Sequence, residues 1–165
     1  MAQTASITAQ KVVGLLSAAE RGLQAVLGDV ATNAGVDLPV IRPENVLHQN
    51  TPVVLVEKNV TVKYPTVLVY CDKIQNLLTE KFRTFSGKVR TVAEVRMSQD
   101  RVEGLEEKVR LYVDAVTEVL DANRGDWGQG MFFPGRYEVK FEPVQRGGRN
   151  FLQAAKVIFE VHLSS

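Results

Sequence analysis

The sequence predicts an α+β fold, an antiparallel or mixed sheet of about four to five strands with two helices packed on one face. Two segments repeat apolar residues at three- and four-residue steps, the period of a helix that faces a core. Several shorter segments are rich in β-branched residues or alternate apolar with polar residues, the period of a strand. A long N-terminal connector and a projecting C-terminal β-hairpin complete the predicted architecture.

The predicted N-terminal helix fills residues 1–28 and ends at the Gly28-Asp29 step. Its apolar stripe, at helical spacing within residues 8–27, comprises Val12, Leu15, Leu16, Ala19, Leu23, Val26 and Leu27. From residue 29 to 51 this period is lost and Asn, Gly, Pro and Asp accumulate, which predicts an extended connector or arm. Two interpretations of the connector remain: an arm that reaches a neighbouring subunit, or a plain surface loop.

A sheet-and-helix core is predicted over residues 52–165 and begins with strands. Prolines precede the β-branched runs at residues 53–56 and 67–71, and proline is tolerated at the start of a strand. Residues 76–85 fit either a helix or a loop. Residues 88–98 alternate and predict a half-buried strand, with Val89, Thr91, Ala93, Val95 and Met97 on one side and Lys88, Arg90, Glu94 and Arg96 on the other.

A second helix and a hairpin follow. Asp100 and Glu103 resemble a capping box, and the helix is predicted to run from there to about Ala122. Its apolar stripe is Val102, Leu105, Val109, Tyr112, Val113, Val116, Val119 and Leu120. Residues 136–142 and 156–163 alternate as strands, and the glycine-rich turn at residues 146–150 makes them a hairpin. The sheet is then left with an open charged face.

The composition favours one folded domain over residues 1–165. The chain is 45% hydrophobic and 24% charged, which is ordinary for a globular protein, and its net charge of +1 provides no field that would collect nucleic acid or an anionic membrane. The only cysteine, Cys71, forms no internal disulfide, and no export signal or membrane span is recognisable. We therefore expect synthesis in the cytoplasm and no membrane partner.

Residues that could support catalysis are few and scattered. His48 and His162 are the only histidines, and neither lies beside the cysteine or carboxylates at the spacing of a nucleophile pair or a zinc site. The glycines at 125, 128 and 130 follow a helix, whereas a phosphate-binding loop follows a strand. We therefore predict that the chain is not an enzyme and holds no metal or cofactor.

Three surfaces are candidates for binding protein partners. The glycine-broken loop with Trp127, Phe132 and Phe133 either folds onto its own core or forms an exposed aromatic patch that docks into a neighbour. The open sheet face with its mixed charges is the second surface, and the hairpin tip with Arg146 and Arg149 is the third. The predicted sheet-face residues are Arg90, Glu94, Arg96, Glu138 and Lys140.

The chain resembles the tail-terminator and neck proteins of long-tailed bacteriophages. The residues that carry the likeness are the N-terminal helix, Tyr64-Pro65-Thr66-Val67-Leu68-Val69-Tyr70, the strand at 88–98, the charged helix that ends at Asn123, and the hairpin that begins Tyr137-Glu138-Val139-Lys140-Phe141-Glu142-Pro143. The likeness covers residues 52–163 and depends on the order of elements, because no diagnostic motif is present. The long segment at residues 30–51 departs from the pattern.

The resemblance implies a virion protein that forms a ring, a hexamer in that family, caps the tail tube and joins it to the head connector. Its partners would be itself, the tail tube protein and the connector proteins, with DNA only as cargo in the channel. Another neck or tail-completion protein is the alternative. A nucleic-acid-binding module that uses the open sheet face and the basic tip is the alternative of a different class.

Overall fold

The computed structural model of the protein describes residues 2–50, 64–147 and 149–165. The predicted α+β class is confirmed, but the described residues form three helices and eight strands, where two helices and four to five strands were expected. The strand predicted at residues 53–56 lies outside the described residues.

The three helices and eight strands follow one another along the chain with one short 3₁₀ helix, Pro43–Asn45, before the first strand. The helices are α1 (Ala2–Ser17), α2 (Leu23–Ala34) and α3 (Leu105–Ala122). The strands are β1 (Val46–His48), β2 (Thr66–Asn76), β3 (Ser86–Gln99), β4 (Gly125–Gly128), β5 (Met131–Phe133), β6 (Tyr137–Phe141), β7 (Gln145–Gly147) and β8 (Asn150–Ser164).

The strands form one mixed sheet in the order β1-β2-β3-β8-β5-β4. Only β1 and β2 run parallel among the described pairs, and every other pair is antiparallel. β3 pairs with β8 over its full length of 14 residues, from Ser86 opposite Ser164 to Gln99 opposite Phe151. The other edge of β8 pairs with β7, β6 and β5 in turn, so β8 joins all the strands that follow α3 to the first half of the sheet.

The core lies between the sheet and the helices. α1 and α3 contact β2, β3 and β8 on one face, which we call the inner face, and α2 packs against α3. The predicted inward residues of β3 are all buried, and so is the predicted stripe of α3 except Val102. β8 contributes Ala155, Val157, Phe159, Val161 and Leu163 to the same core.

The N-terminal helix predicted over residues 1–28 is two helices, with a turn between Ser17 and Leu23. The main-chain N–H of Gly22 donates to the carbonyl oxygen of Ala18 at 3.0 Å, and a Cβ at Gly22 would lie 2.2 Å from that oxygen. This turn cannot be recognised from the apolar stripe in the sequence, because both helices face the same core. Gly28, predicted as the stop, lies inside α2, which instead ends at Gly35 with a left-handed φ of 66°.

The connector predicted over residues 29–51 is not an extended arm in its described part, which ends at residue 50. Its beginning belongs to α2 and its end contains β1, which extends the sheet beside β2. Between them Leu38 and Ile41 are buried in the core, and the Tyr112 hydroxyl donates to the carbonyl oxygen of Pro39 at 2.6 Å. Isolated apolar residues fix this segment to the domain, and such contacts leave no periodic signal in the sequence.

The capping box predicted at Asp100 and Glu103 does not form. α3 instead begins after Gly104, whose φ is 79°. The segment before it is held as a turn, because the Gln99 amide donates to the carbonyl oxygens of Arg101 at 2.7 Å and Glu103 at 2.8 Å. The predicted end at Ala122 is confirmed. There the Asn123 amide donates to the carbonyl oxygen of Val119 at 2.7 Å and satisfies one of the last carbonyls of the helix.

The predicted C-terminal hairpin is confirmed, although β8 begins at Asn150, six residues before its predicted start. The described pairing closest to its tip joins Gly147 to Asn150. Pro143 divides the other arm into β6 and β7, as a residue without an N–H donor is expected to do. Residues 77–85, for which helix or loop was open, form the loop between β2 and β3.

We predict that Gly22→Ala destabilises the protein by about 1–3 kcal/mol, because the added methyl overlaps main-chain atoms of Ala18 that cannot move aside. Gly28→Ala is the matched control, since nothing lies within 4 Å of its Cβ position. This helix-interior substitution is expected to stabilise by roughly 0.5–1 kcal/mol. Urea unfolding measures both, and two shifts of the same sign would contradict the described turn.

Candidate interaction surfaces

The face of the sheet opposite the helices, the outer face, has an apolar centre. Leu68 and Tyr70 of β2 and Val92 of β3 are buried there, and Leu47 and Ile158 pack against them. The outer face therefore differs from the predicted open charged face in having this apolar centre. Charged residues lie on either side of this apolar centre.

Glu94 and Arg96 are buried on the outer face, with only 4% and 5% of their surfaces exposed. Within the subunit these two predicted interface residues therefore present little surface to a partner. The Arg96 Nε donates to the Glu94 carboxylate, and the Tyr70 hydroxyl donates to Glu94 Oε1 at 3.0 Å. Alternation assigned both residues to the correct face of β3, but it cannot report whether neighbouring side chains cover them.

The buried carboxylate of Glu94 is the end of a line of charges that reaches the surface. Lys156 Nζ lies 3.8 Å from Glu94 Oε1 and 3.9 Å from Glu142 Oε1, and Lys140 Nζ lies 3.6 Å from Glu142 Oε1. Burial, together with the negative charge of Glu94, raises the pKa of Tyr70 above its ordinary value, so its hydroxyl remains a donor to Glu94. Lys140 is exposed, in agreement with its predicted position.

On the other side of the apolar centre lies a groove of about 560 Å³, lined by the start of β6 and by the charged ends of β3 and β8. Its charged lining combines three basic residues and two carboxylates with one histidine: Lys88, Arg90, Arg136, Glu138, Glu160 and His162. Arg90 Nη2 lies 3.0 Å from Asp72 Oδ2, and Lys88 Nζ lies 3.7 Å from Glu160 Oε2. We call this the charged groove, and it contains the predicted interface residues Arg90 and Glu138.

The aromatic loop folds onto the core, which was one of its two interpretations. Trp127 of β4 is 9% exposed and Phe133 of β5 is fully buried, with their ring centroids 5.3 Å apart. Phe133 also meets Phe159 edge to face at 5.5 Å, and Trp127 Nε1 donates to the carbonyl oxygen of Asn123 at 2.6 Å. In this conformation Trp127 and Phe133 face the core of the subunit, whereas Phe132 is 48% exposed.

The hairpin tip carries the two arginines where the sequence placed them. Arg146 and Arg149 are both exposed, and the Arg146 guanidinium lies 5.8 Å from the centroid of the Phe151 ring. This distance permits a cation–π contact, which holds one arginine across the two arms of the hairpin.

An apolar surface on the β2–β3 loop was not predicted from the sequence. Leu77, Leu78 and Phe82 are all exposed, and Phe82 is fully so. Leu77 and the exposed Phe132 line the same cavity of about 290 Å³. We call these four residues the loop patch. The sequence contained one indication of this surface, which is three bulky apolar residues in a segment without helical or strand period. Such residues are costly to expose without a partner.

The β2–β3 loop is fixed at its base, although its apolar side chains point outward. The Asn76 side chain donates to the Thr84 carbonyl oxygen at 3.1 Å and accepts from the Ser86 N–H at 3.1 Å. The N–H groups of Thr84 and Phe85 donate to the main-chain oxygen of Ser165 at 3.0 and 3.1 Å. A loop held in this way keeps its shape before any partner arrives.

The described part of the chain offers no arrangement of at least three His, Cys, Asp or Glu residues that could hold a metal. Its helices include none that is both long and apolar enough to cross a membrane. Burial raises the pKa of the Cys71 thiol, which disfavours the reactive thiolate.

The fold is similar to that of a protein in a virus-like particle. A chain of the solved structure described as "Virion of native gene transfer agent (GTA) particle" superposes with a TM-score of 0.50 at 12% sequence identity. The superposition covers 99% of this chain and 97% of that chain. The two chains therefore share a fold from end to end, at an identity too low to show more than the fold. No protein-family model and no curated protein matches this sequence.

We predict that Glu94→Leu destabilises the protein by about 3–5 kcal/mol, because it takes the carboxylate away from the buried Arg96 guanidinium. Glu160→Leu is the control on the same face, since Glu160 pairs with Lys88 near the surface and is expected to contribute less than about 1 kcal/mol. Urea unfolding distinguishes the two. Equal losses would mean that the Glu94 pair is as hydrated as the surface pair.

We predict that Trp127→Ala destabilises the fold by about 3–5 kcal/mol, since it empties a buried site against Phe133. Phe132→Ala, in the next strand but exposed, is expected to change stability by only about 0.5 kcal/mol. Thermal unfolding followed by circular dichroism measures both. A Trp127→Ala protein of unchanged stability would contradict the core position of this ring.

Proposed function

We propose that this chain is a structural protein of a phage-like virion and acts as a tail terminator, which forms a ring, caps the tail tube and joins it to the head connector. The observation that carries the proposal is the fold shared over 99% of this chain with a chain of a gene transfer agent virion. The sequence resemblance to tail-terminator and neck proteins supports the same kind of particle. The chain would then be made in the cytoplasm and act within the virion.

A ring of identical subunits associates head to tail, which requires two different complementary surfaces on each chain. The loop patch is an exposed candidate for one of them, because bulky apolar residues are common in protein interfaces. The charged groove, with its mixed charges, is a candidate for binding a different protein partner. Of the residues predicted to bind partners, Phe132, Arg90, Glu138 and Lys140 keep that proposed role. Tail tube and connector proteins are the other proposed partners.

The hairpin tip is the proposed contact with the channel or with a partner. Arg146 and Arg149 are both exposed at the end of the hairpin where β7 pairs with β8. Their guanidinium groups would face either DNA that passes as cargo or an acidic surface of the next ring. In this proposal the chain performs no catalysis and needs no cofactor.

Nucleic-acid binding as the main function is less well supported. On the outer face Arg90 and Lys88 are already paired with carboxylates, and Glu138 and Glu160 share the charged groove. A surface whose charges are paired in this way attracts phosphates weakly. Other proteins of the neck, including tail-completion proteins, differ from a tail terminator in the partner to which the ring binds.

We predict that the purified chain forms a closed ring at high concentration and that this ring stops the growth of its own tail tube protein. Light scattering across concentration measures the mass, and electron microscopy shows the ring. Tube length is then measured with and without the ring added in less than equimolar amount. A ring that binds only the head connector would favour another neck protein, and a monomer that leaves the tubes unchanged would contradict the proposal.

A further inference from the structure

We propose that the β2–β3 loop of one subunit inserts Phe82 into the groove between α2 and α3 of a second copy of this chain. The inference depends on the proposed self-assembly and names the two surfaces that meet. It assigns a role to the loop patch, whose exposure is not explained by packing in the core of the subunit.

The backbone of the β2–β3 loop is held in a costly conformation that presents apolar side chains to solvent. Leu78 and Phe82 have left-handed φ values of 48° and 64°, which are sterically unfavourable for residues with a Cβ. Hydrogen bonds from Asn76 and to Ser165 stabilise the loop at its base. This arrangement resembles a preformed binding element, because little ordering entropy remains to be lost when it docks.

The tip of the loop is basic on both sides of its aromatic ring. Lys81 and Arg83 flank Phe82, and all three are exposed. Glu80 is the one acidic residue nearby, and its carboxylate is already engaged by the Ser164 hydroxyl and by Arg83 Nε at 3.7 Å. The tip therefore presents an aromatic anchor between cations, a combination that is common at the energetic centre of interfaces.

The groove between α2 and α3 has the complementary character, and we call it the helix groove. It measures about 230 Å³, and its apolar lining is Ala25, Val26, Val119 and Ala122. Three carboxylates and one guanidinium surround this lining: Glu20, Asp29, Glu118 and Arg21. The last turn of α3 and the first turn of α2 both line this groove, so their opposite dipole ends offset each other and the acidic side chains determine the charge of the rim.

The two surfaces can meet in a chain of subunits. The helix groove and the β2–β3 loop share no residue, so each subunit can donate its loop to one neighbour while it accepts the loop of another. Such a contact is heterologous, which is the type that closes into a ring. Lys81 and Arg83 would then face Glu20, Asp29 and Glu118, and opposite charges at the rim would fix the orientation of the aromatic anchor.

The first test truncates the anchor. Phe82→Ser is expected to raise the dissociation constant for self-association at least tenfold, because it removes an interface hot spot. The unfolding midpoint is expected to stay unchanged, because the Phe82 side chain is fully exposed. Val102→Ser is the matched control, since Val102 is an exposed apolar residue outside both surfaces. Sedimentation equilibrium measures association. A Phe82→Ser protein that associates like the Val102→Ser protein would overturn the inference.

The second test reverses the charges. The double variant Lys81→Glu with Arg83→Glu and the double variant Glu20→Lys with Glu118→Lys are each expected to associate weakly, because like charges then meet at the rim. In a mixture of the two variants, the loop of each is opposite in charge to the groove of the other, so loop-to-groove pairs are expected to form again. Restored association only in the mixture supports the contact, and equally weak association in the mixture overturns it.

The third test traps the contact. In a Cys71→Ser background, a chain with Lys81→Cys is mixed with a longer, tagged chain with Ala25→Cys under mild oxidation. A disulfide between the two chains is expected, whereas Glu138→Cys in place of Ala25→Cys is expected to give none. An oligomer without this cross-link overturns the loop-to-groove contact and leaves the ring proposal standing. A chain that neither cross-links nor associates at any concentration contradicts both.

Discussion

The pairing of β3 with β8 is the constraint on which the rest of the structure depends. It spans all 14 residues of β3 and places the inward residues of both strands against α1 and α3. The same strand β8 then holds β5, β6 and β7 on its other edge. A shift of one residue in this register would exchange the apolar inner residues of β8 for Lys156, Ile158, Glu160 and His162, so the register is strongly specified.

The same register determines which charges a partner can reach. Because Glu94 lies opposite Lys156 and beside Tyr70, its carboxylate is used within the subunit, while the charges farther along the strands line the open charged groove. A buried ion pair contributes little net stability but is costly to break. The outer face therefore combines a fixed internal network with a smaller set of charges that are available for recognition.

Periodicity in the sequence was sufficient to predict the long helices and strands, but it was insufficient to predict the segments between them. The stripe of α3 and the alternation of β3 predicted those elements because each has a single repeating environment. The turn at Gly22 was invisible because two helices face one core, and Leu38 and Ile41 gave no pattern because single contacts fix them. Of the candidate site, the positions of Arg90, Glu138 and the hairpin arginines were predictable, but the burial of Glu94 and Trp127 depends on neighbours distant in sequence.

The central position of β8 has a consequence for the order of events during synthesis. Residues 150–164 leave the ribosome after every other described strand, yet they occupy the middle of the sheet. Until they emerge, β3 has one unpaired edge and the strands after α3 have nothing to pair with, so folding waits for this long-range closure. Ser164 and Ser165 also bond to the β2–β3 loop, so the loop lacks these contacts until both residues have been made. Synthesis of residues 150–165 therefore completes both the core of the sheet and the β2–β3 loop.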